Sequence, residues 1–299
     1  MIEYTPDNIT AATIEQMSTT TDPRLKTIME SAVRHLHAFA REVNLTPAEW
    51  IFGIQFLTRV GHMCSASRQE FILLSDTLGL STLVNTLHDT TALEDATHTS
   101  LLGPFFRENT PVMERGAQIG SDVSTGEIVL WGRVTNVDGA PIANAMVTVW
   151  QTAANGSYDM QVTPERNDYR GSFVTAADGS YVLKSVRPLG YYIPMDGPVW
   201  DMVRAQGRHG MRPAHIHFLI GAVGYRELVT ALYLSGDPHL HDDVVFGASA
   251  DLVAQIKQND PECPIKGLPS IRFDFTVSRE SEADRRGGRV GADPAATLA

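Results

Sequence analysis

Two cysteines in 299 residues are too few and too far apart for a disulfide framework or a Cys-x-x-Cys metal or redox motif. Cys64 and Cys263 are therefore expected to be reduced thiols of a cytoplasmic protein. No apolar run approaches the length of about 18 residues that a transmembrane helix needs. The opening MIEYTPDNIT lacks a basic stretch followed by an apolar core, so no secretory signal is expected. Basic charge is also scarce. The 24 Lys and Arg against 35 Asp and Glu leave a formal net charge of -11, which argues against nucleic acid or an anionic membrane as partner. No internal repeat is visible. What remains is ordinary globular composition, 43% hydrophobic and 20% charged, with length for one large domain and a smaller one.

Residues 1–100 read as a helical domain. Leu25, Ile28, Met29, Ala32, Val33, Leu36, Phe39, Ala40 and Val43 recur at the helical period and form one wide apolar stripe. Thr46-Pro47-Ala48-Glu49 is a capping box with Pro at the first helical position, ahead of an apolar stretch from Trp50 to Val60. Ser67 and Glu70 repeat that spacing before Phe71–Leu74, Gly79 ends or bends the helix, and Ser81–His88 resumes it. From about residue 127 the period changes. Ile128–Trp131, Val134–Val137, Ala145–Trp150, Ser172–Ala176 and Tyr181–Val186 are short β-branched and aromatic runs. They are punctuated by Asp138-Gly139 and Asp178-Gly179 turns. The expected fold is mainly β, an antiparallel β-sandwich over 127–277 that carries the chemistry, with an α-helical N-terminal domain. Residues 101–126 read as a linker, and the charged, apolar-poor tail 278–299 is expected to be disordered.

Ten histidines give three His-x-His pairs, and position separates them. His35 and His37 fall on a helix, where residues two apart point about 200° away from each other. His239 and His241 lie in the loop GDPHLHDD, where a solvated or turn-stabilising role is the default. His215 and His217 sit in the strand-like run AHIHFLI, so both project from one face while Ile216 faces the other. Taken alone, the pair fits either a metal ion or two hydrogen-bonded core imidazoles. Tyr158, in the turn after a strand, and Tyr191 would by default pack their rings and hydrogen-bond their hydroxyls.

Four stretches then fall in order: Leu102-Gly103-Pro104-Phe105; Asn155-Gly156-Ser157-Tyr158-Asp159; Tyr191-Tyr192-Ile193-Pro194-Met195-Asp196-Gly197-Pro198-Val199; and Arg212-Pro213-Ala214-His215-Ile216-His217-Phe218. Together they resemble the intradiol ring-cleavage dioxygenases. The resemblance runs from Glu70-Phe71-Ile72-Leu73-Leu74-Ser75-Asp76 to about Gly247 and so covers most of the chain. Gly207-Arg208-His209 and Asp243-Val244-Val245-Phe246-Gly247 resemble the hydroxyquinol 1,2-dioxygenases more than the catechol 1,2-dioxygenases.

The resemblance implies one Fe(III) per chain held by Tyr158, Tyr191, His215 and His217, with hydroxide completing the shell. Phenolate is a hard anionic donor that a trivalent ion can keep deprotonated, and two tyrosinates would be unusual for zinc. A diol bound as a dianion overcharges that set unless hydroxide and one tyrosinate leave with the two substrate protons. In the family the leaving tyrosine is the equivalent of Tyr191. Arg212 is implied as the cation that steadies negative charge on the ring. Leu74, Thr77, Leu101, Leu102, Gly103, Pro104, Phe105, Ile193, Pro194 and Val245, with Arg212, are implied as the substrate pocket, which gives the linker a share in it. The reactants would be an aromatic diol or triol and O2, and the apolar stripe of the first long helix resembles the family's homodimer interface and lipid-lined groove. Two positions depart from the pattern. Thr77 stands where hydroxyquinol members carry an acid and catechol members a proline, and Ala231 stands where a polar Gln or His is usual. Two other readings follow from the same residues: a catechol or substituted-catechol enzyme, and a metal-free prealbumin-like β-sandwich binding module.

Overall fold

The structure is a computed structural model that describes residues 3–65, 68–90, 95–163 and 165–280, the side chains of residues 88 and 90 excepted. The chain divides into two compact units, Met1–Arg59 and Val60–Ala299.

The first unit is helical: α1 (Ile9–Glu15), α2 (Pro23–Glu42) and most of α3 (Pro47–Met63). Local sequence sets these starts. The Asp22 carboxylate accepts from the Arg24 and Leu25 amides at 2.8 and 3.1 Å, with Pro23 at the first helical position. Thr46 and Glu49 form the expected reciprocal box: the Thr46 amide donates to Glu49 Oε2 at 2.9 Å and the Glu49 amide to Thr46 Oγ1 at 3.3 Å. No residue of α2 is buried, and Leu25, Ile28, Met29, Leu36, Phe39 and Val43 of its stripe are exposed.

The second unit opens with α4 (Glu70–Thr77) and α5 (Leu80–Thr90). Gly79, at φ +74°, turns the chain between them. The capping residue read at Ser67 lies outside the described residues. The strands follow as β1 (Glu127–Asn136), β2 (Met146–Gln151), β3 (Arg170–Val174), β4 (Ser180–Val186), β5 (Tyr191–Tyr192), β6 (Met211–Arg212), β7 (His215–Gly221), β8 (Leu228–Leu234), β9 (Val253–Ala254), β10 (Ser270–Arg272) and β11 (Phe275–Val277). Two short helices interrupt them, α6 (Asp159–Val162) and α7 (Pro198–Ala205). One sheet has the order β10-β1-β11 with β4 also on β1, a second the order β3-β2-β7-β8-β9, and β5-β6 form a small third. Pairing is mixed rather than wholly antiparallel, because β1–β10, β1–β11 and β8–β9 run parallel. Long returns of the chain, such as residues 235–252 between β8 and β9, provide the crossover that parallel pairing needs.

The two larger sheets share one core. Ile128, Leu130 and Leu183 of the first meet Val147, Val149, Ile216, Phe218 and Leu232 of the second, each large side chain contributing about 1.5–3 kcal/mol by leaving water. The Asp-Gly turns close as expected, with Gly139 and Gly179 amides donating to Asn136 and Ala176 carbonyls at 2.9 Å. A Cβ on Gly179 would stand 2.5 Å from the Val134 carbonyl oxygen, so only glycine fits there. Ser278 accepts a backbone hydrogen bond from Arg226, and the tail beyond residue 280 lies outside the described residues.

Candidate active site

Strand alternation builds one wall of the site. On β7, Ile216 and Phe218 enter the shared core while His215 and His217 project from the opposite face. β2 sets Trp150 opposite His217, and β8 sets Tyr233 opposite His215 and Ala231 opposite His217. The small sheet places Tyr191 opposite Arg212. Tyr158 stands at the head of α6, after a turn in which Gly156 adopts φ +79° and the Ser157 amide donates to Asn155 Oδ1 at 3.0 Å.

Four donor atoms converge. Tyr158 Oη lies 3.5 Å from Tyr191 Oη and 3.4 Å from His215 Nε2, and the two histidine Nε2 atoms are 3.2 Å apart. The His215 Nδ1–H donates to the Pro213 carbonyl at 2.7 Å, so its Nε2 presents a lone pair. His217 Nδ1 has no hydrogen-bond partner among the described residues. Burial pushes both imidazoles well below the usual histidine range, helped at His215 by Arg212 and at His217 by His215 and then Arg212. Both rings are therefore neutral, and their Nε2 atoms face each other. Burial, then the neighbouring Tyr191, pushes the Tyr158 phenol well above its usual range, so only a strong cation would take it as phenolate. Donors 3.2 to 3.5 Å apart can share one ion at bonds of about 2 Å. The set fits a hard ferric ion, since imidazole and phenolate are both iron ligands.

Arg212 is buried beside them. Its Nη1 lies 3.4 Å from Tyr191 Oη and 3.1 Å from His215 Nε2, and its Nε and Nη2 reach Asp243 at 3.2 and 3.3 Å. Burial is the largest single influence and pulls this guanidinium down, but Asp243, Tyr191 and Tyr233 together outweigh it and hold the group well above its usual range. Phe105 stacks on Tyr158 with ring centres 4.5 Å apart. Gly103, at φ +71°, brings the backbone over His217, where an added Cβ would lie 3.5 Å from the ring. Leu102 packs with Phe105, Trp150 and Tyr158. Leu101 is buried, Pro104 half-buried, and the Val245 amide donates to Asp243 Oδ1 at 3.3 Å. Leu74, Thr77 and Ile193 are buried and Pro194 half-buried; no hydrogen bond or ring contact among the described residues joins these four to the cluster. The Thr77 hydroxyl donates to the Leu74 carbonyl at 3.1 Å and the Thr77 carbonyl accepts from Arg208 at 2.8 Å. A cavity of about 420 Å³ beside α5 borders this region through Ser100, Leu101 and Gly247.

Three partners were not legible from motif order. Asp243 lies in a noted stretch, but nothing in sequence aims it at Arg212. Trp150 lies parallel on the His217 ring at 4.9 Å and 2°. Tyr233 is wholly buried, and burial pushes its phenol up to about 12 although Arg212 pulls it down. His37, His209 and His239 have partners of their own. His37 pairs with Thr10 at 3.0 Å. His239 and His209 flank Asp242 at 3.0 and 3.1 Å; because the Met211 amide donates to His209 Nδ1 at 3.1 Å, that ring carries its proton on Nε2, which opposes metal binding there.

The family model described as "Dioxygenase" matches residues 101–278, and that described as "Catechol dioxygenase N terminus" matches residues 22–95. The chain belongs to the intradiol ring-cleavage dioxygenases. This dioxygenase is 43% identical over 280 residues to the 6-chlorohydroxyquinol 1,2-dioxygenase of Cupriavidus pinatubonensis, covering 93% of this chain and 99% of that one. It is 40% identical to the hydroxyquinol 1,2-dioxygenase of Nocardioides simplex, covering 89% and 92%. The solved hydroxyquinol 1,2-dioxygenase of Pseudomonas putida superposes with a TM-score of 0.83 at 40% identity, covering 92% and 99%. As a family member the dioxygenase is an oxidoreductase, and the binding-module reading gives way. No helix among the described residues is long and apolar enough to cross a membrane.

Proposed function

We propose that this dioxygenase opens hydroxyquinol (benzene-1,2,4-triol) between its two adjacent hydroxyl-bearing carbons. Both atoms of O2 enter the product, 3-hydroxy-cis,cis-muconate or its keto form maleylacetate. The convergence of Tyr158, Tyr191, His215 and His217 at donor spacings of 3.2 to 3.5 Å, with a buried cation alongside, carries the reading. Relatives of 40% identity and more that are named for hydroxyquinol substrates support the choice of ring.

A ferric ion bound by these four side chains would supply Lewis acidity and accept electron density from the diol. The protein's own groups do the rest. Tyr191 is half-buried, so it can give up its place to the diol and leave holding one substrate proton. Tyr158 is 1% exposed and clamped by Phe105, so it stays. The histidines remain neutral, and Arg212 steadies negative charge from its station between Tyr191 and His215. Phe105, Leu102 and Gly103 shape an apolar wall that keeps bulk water from the ring.

The finer architecture belongs to the same proposal: residues 1–100 a helical domain, 101–126 a linker that shapes the pocket, and 127–277 a β-sandwich. The protein is read as cytoplasmic and as a homodimer joined through its N-terminal helices, with lipid in their groove; the exposed apolar stripe of α2 supports this. Purified protein should hold about one iron per chain, be wine-red from tyrosinate-to-iron charge transfer, and take up O2 faster with the triol than with catechol. A colourless protein that gains no colour with added iron would refute the ligand set. A catechol preference would move the assignment to a catechol 1,2-dioxygenase.

A further inference from the structure

Arg212 has five N–H groups, and the structure gives every one a partner. Two go to Asp243, one to Tyr233 Oη at 3.3 Å, and the two on Nη1 face Tyr191 and His215. The Asp243 carboxylate grips only the Nε–Nη2 edge, and a plane held along one edge can still rock about it. Tyr233 adds the further point. Its own hydroxyl is held in turn by Ser100 Oγ at 3.0 Å.

Proton accounting gives this chain a direction. The Ser100 hydroxyl donates to the Gly247 carbonyl at 3.2 Å, which uses its only proton. The hydrogen between Ser100 and Tyr233 must then come from Tyr233, so the Tyr233 lone pairs are left for Arg212 Nη2. Each hydroxyl donates once and accepts once, and the run ends on a backbone carbonyl. The turn closes tightly over it: a Cβ on Gly247 would lie 2.7 Å from Tyr233 Oη and 2.9 Å from Arg212 Nη2. Ala231 and Tyr233 lie two apart on β8, opposite His217 and His215. Ala231 offers no polar side-chain atom, so the only side-chain hydroxyl that this face of β8 brings here is Tyr233's.

We propose that Tyr233 is a positioning residue that aims Arg212 Nη1 at the corner between Tyr191 and His215, where a diol oxygen would meet two aligned N–H groups. Only the identity of what meets Arg212 rests on the dioxygenase reading.

Tyr233→Phe deletes one oxygen and tests this in two ways. In 1H–15N spectra of the full chain prepared without iron, the resolved Arg212 Nη–H signals should broaden or merge while the Nε–H signal, held by Asp243, persists. In the iron-loaded enzyme, kcat with the triol should fall about tenfold, as losing one hydrogen bond to a charged group implies. KM should stay within about threefold, with iron content and resting colour retained, because no ligand is touched. Ser100→Ala, which removes the acceptor that orients Tyr233, should cause a smaller fall in the same direction, and it carries both measurements if Tyr233→Phe does not fold. Unchanged Arg212 Nη–H signals, or a kcat within about twofold of wild type, would overturn the proposal. A wild type that takes up no O2 with any diol would refute the dioxygenase reading instead, and the spectra would still decide the role of Tyr233.

Discussion

Asp159→Asn changes almost no volume and removes one charge from the centre of the second unit. Asp159 and Arg170 form an ion pair in which both side chains are 1% exposed. Arg170 Nε donates to Asp159 Oδ2 at 2.7 Å and Nη2 to the Phe105 carbonyl at 3.2 Å, while Asp159 also accepts from the amides of Met160 and Asp168. Breaking a buried pair by removing one partner costs about 3–5 kcal/mol, because the other charge is left buried without its counterion. Arg170 Nη1 lacks a partner among the described residues, so the pair is imperfect and the lower end, about 3 kcal/mol, is expected. For a unit of this size that is about 6–12 °C of melting temperature. Asp159 follows Tyr158, and Arg170 holds the backbone of the phenylalanine stacked on Tyr158, so the iron-loaded protein should also show a shifted visible band. Circular-dichroism melts of wild type, Asp159→Asn, Arg170→Met and the double variant would measure this. Removing both charges should restore part of the loss. A single variant melting within about 2 °C of wild type, or a double variant losing the sum of the single losses, would show that the pair is not the coupled, buried unit described.

Tyr158→Phe or His215→Ala should lose iron or its visible band, whereas His35→Ala and His239→Ala should keep both, as metal analysis and absorption spectra would show. Tyr191→Phe should lower turnover and shift the band while sparing part of the iron, since three ligands remain; near wild-type turnover would end its role as the departing group. Thr77→Asp should raise the ratio of kcat/KM for the triol over catechol, by about tenfold for each 1.4 kcal/mol gained. An unmoved ratio would mean that position 77 does not read the third hydroxyl. Stability of the iron-free protein should depend on pH through His215 and His217. Their folded values are depressed, so the unfolded chain binds more protons on acidification, and stability present above about pH 6.5 is lost as pH falls below it. Urea midpoints at pH 7.5 and 5.5 would check this, and His217→Asn should shrink the difference between them.

What could be read from the sequence was what local chemistry decides. The Thr46–Glu49 box, the glycine turns at 139 and 179, and the projection of His215 and His217 from one face of β7 depend on neighbours a few residues away. What could not be read depends on register between distant segments. The parallel partners of β1, Ser270–Arg272 and Phe275–Val277, are three residues long and too short to carry an alternation signal. Asp243 and Tyr233 reach Arg212 only once β8 and the turn after it are in place. The α2 stripe shows the same limit, because periodicity defines an apolar face without saying what covers it.

The four candidate ligands are contributed by a turn, a two-residue strand and a long strand, with Tyr158 separated from His215 by 57 positions. In an unfolded chain only the two histidines are close enough to share an ion, and loops of such length close slowly and at an entropic cost that local structure does not offset. A ferric ion held by these four side chains would therefore not seed folding in the manner of a zinc finger. It would be captured last, by a scaffold already assembled, and colour would become a readout of finished tertiary structure. Chains trapped short of the native register of β5 and β7 would stay pale whatever the supply of iron.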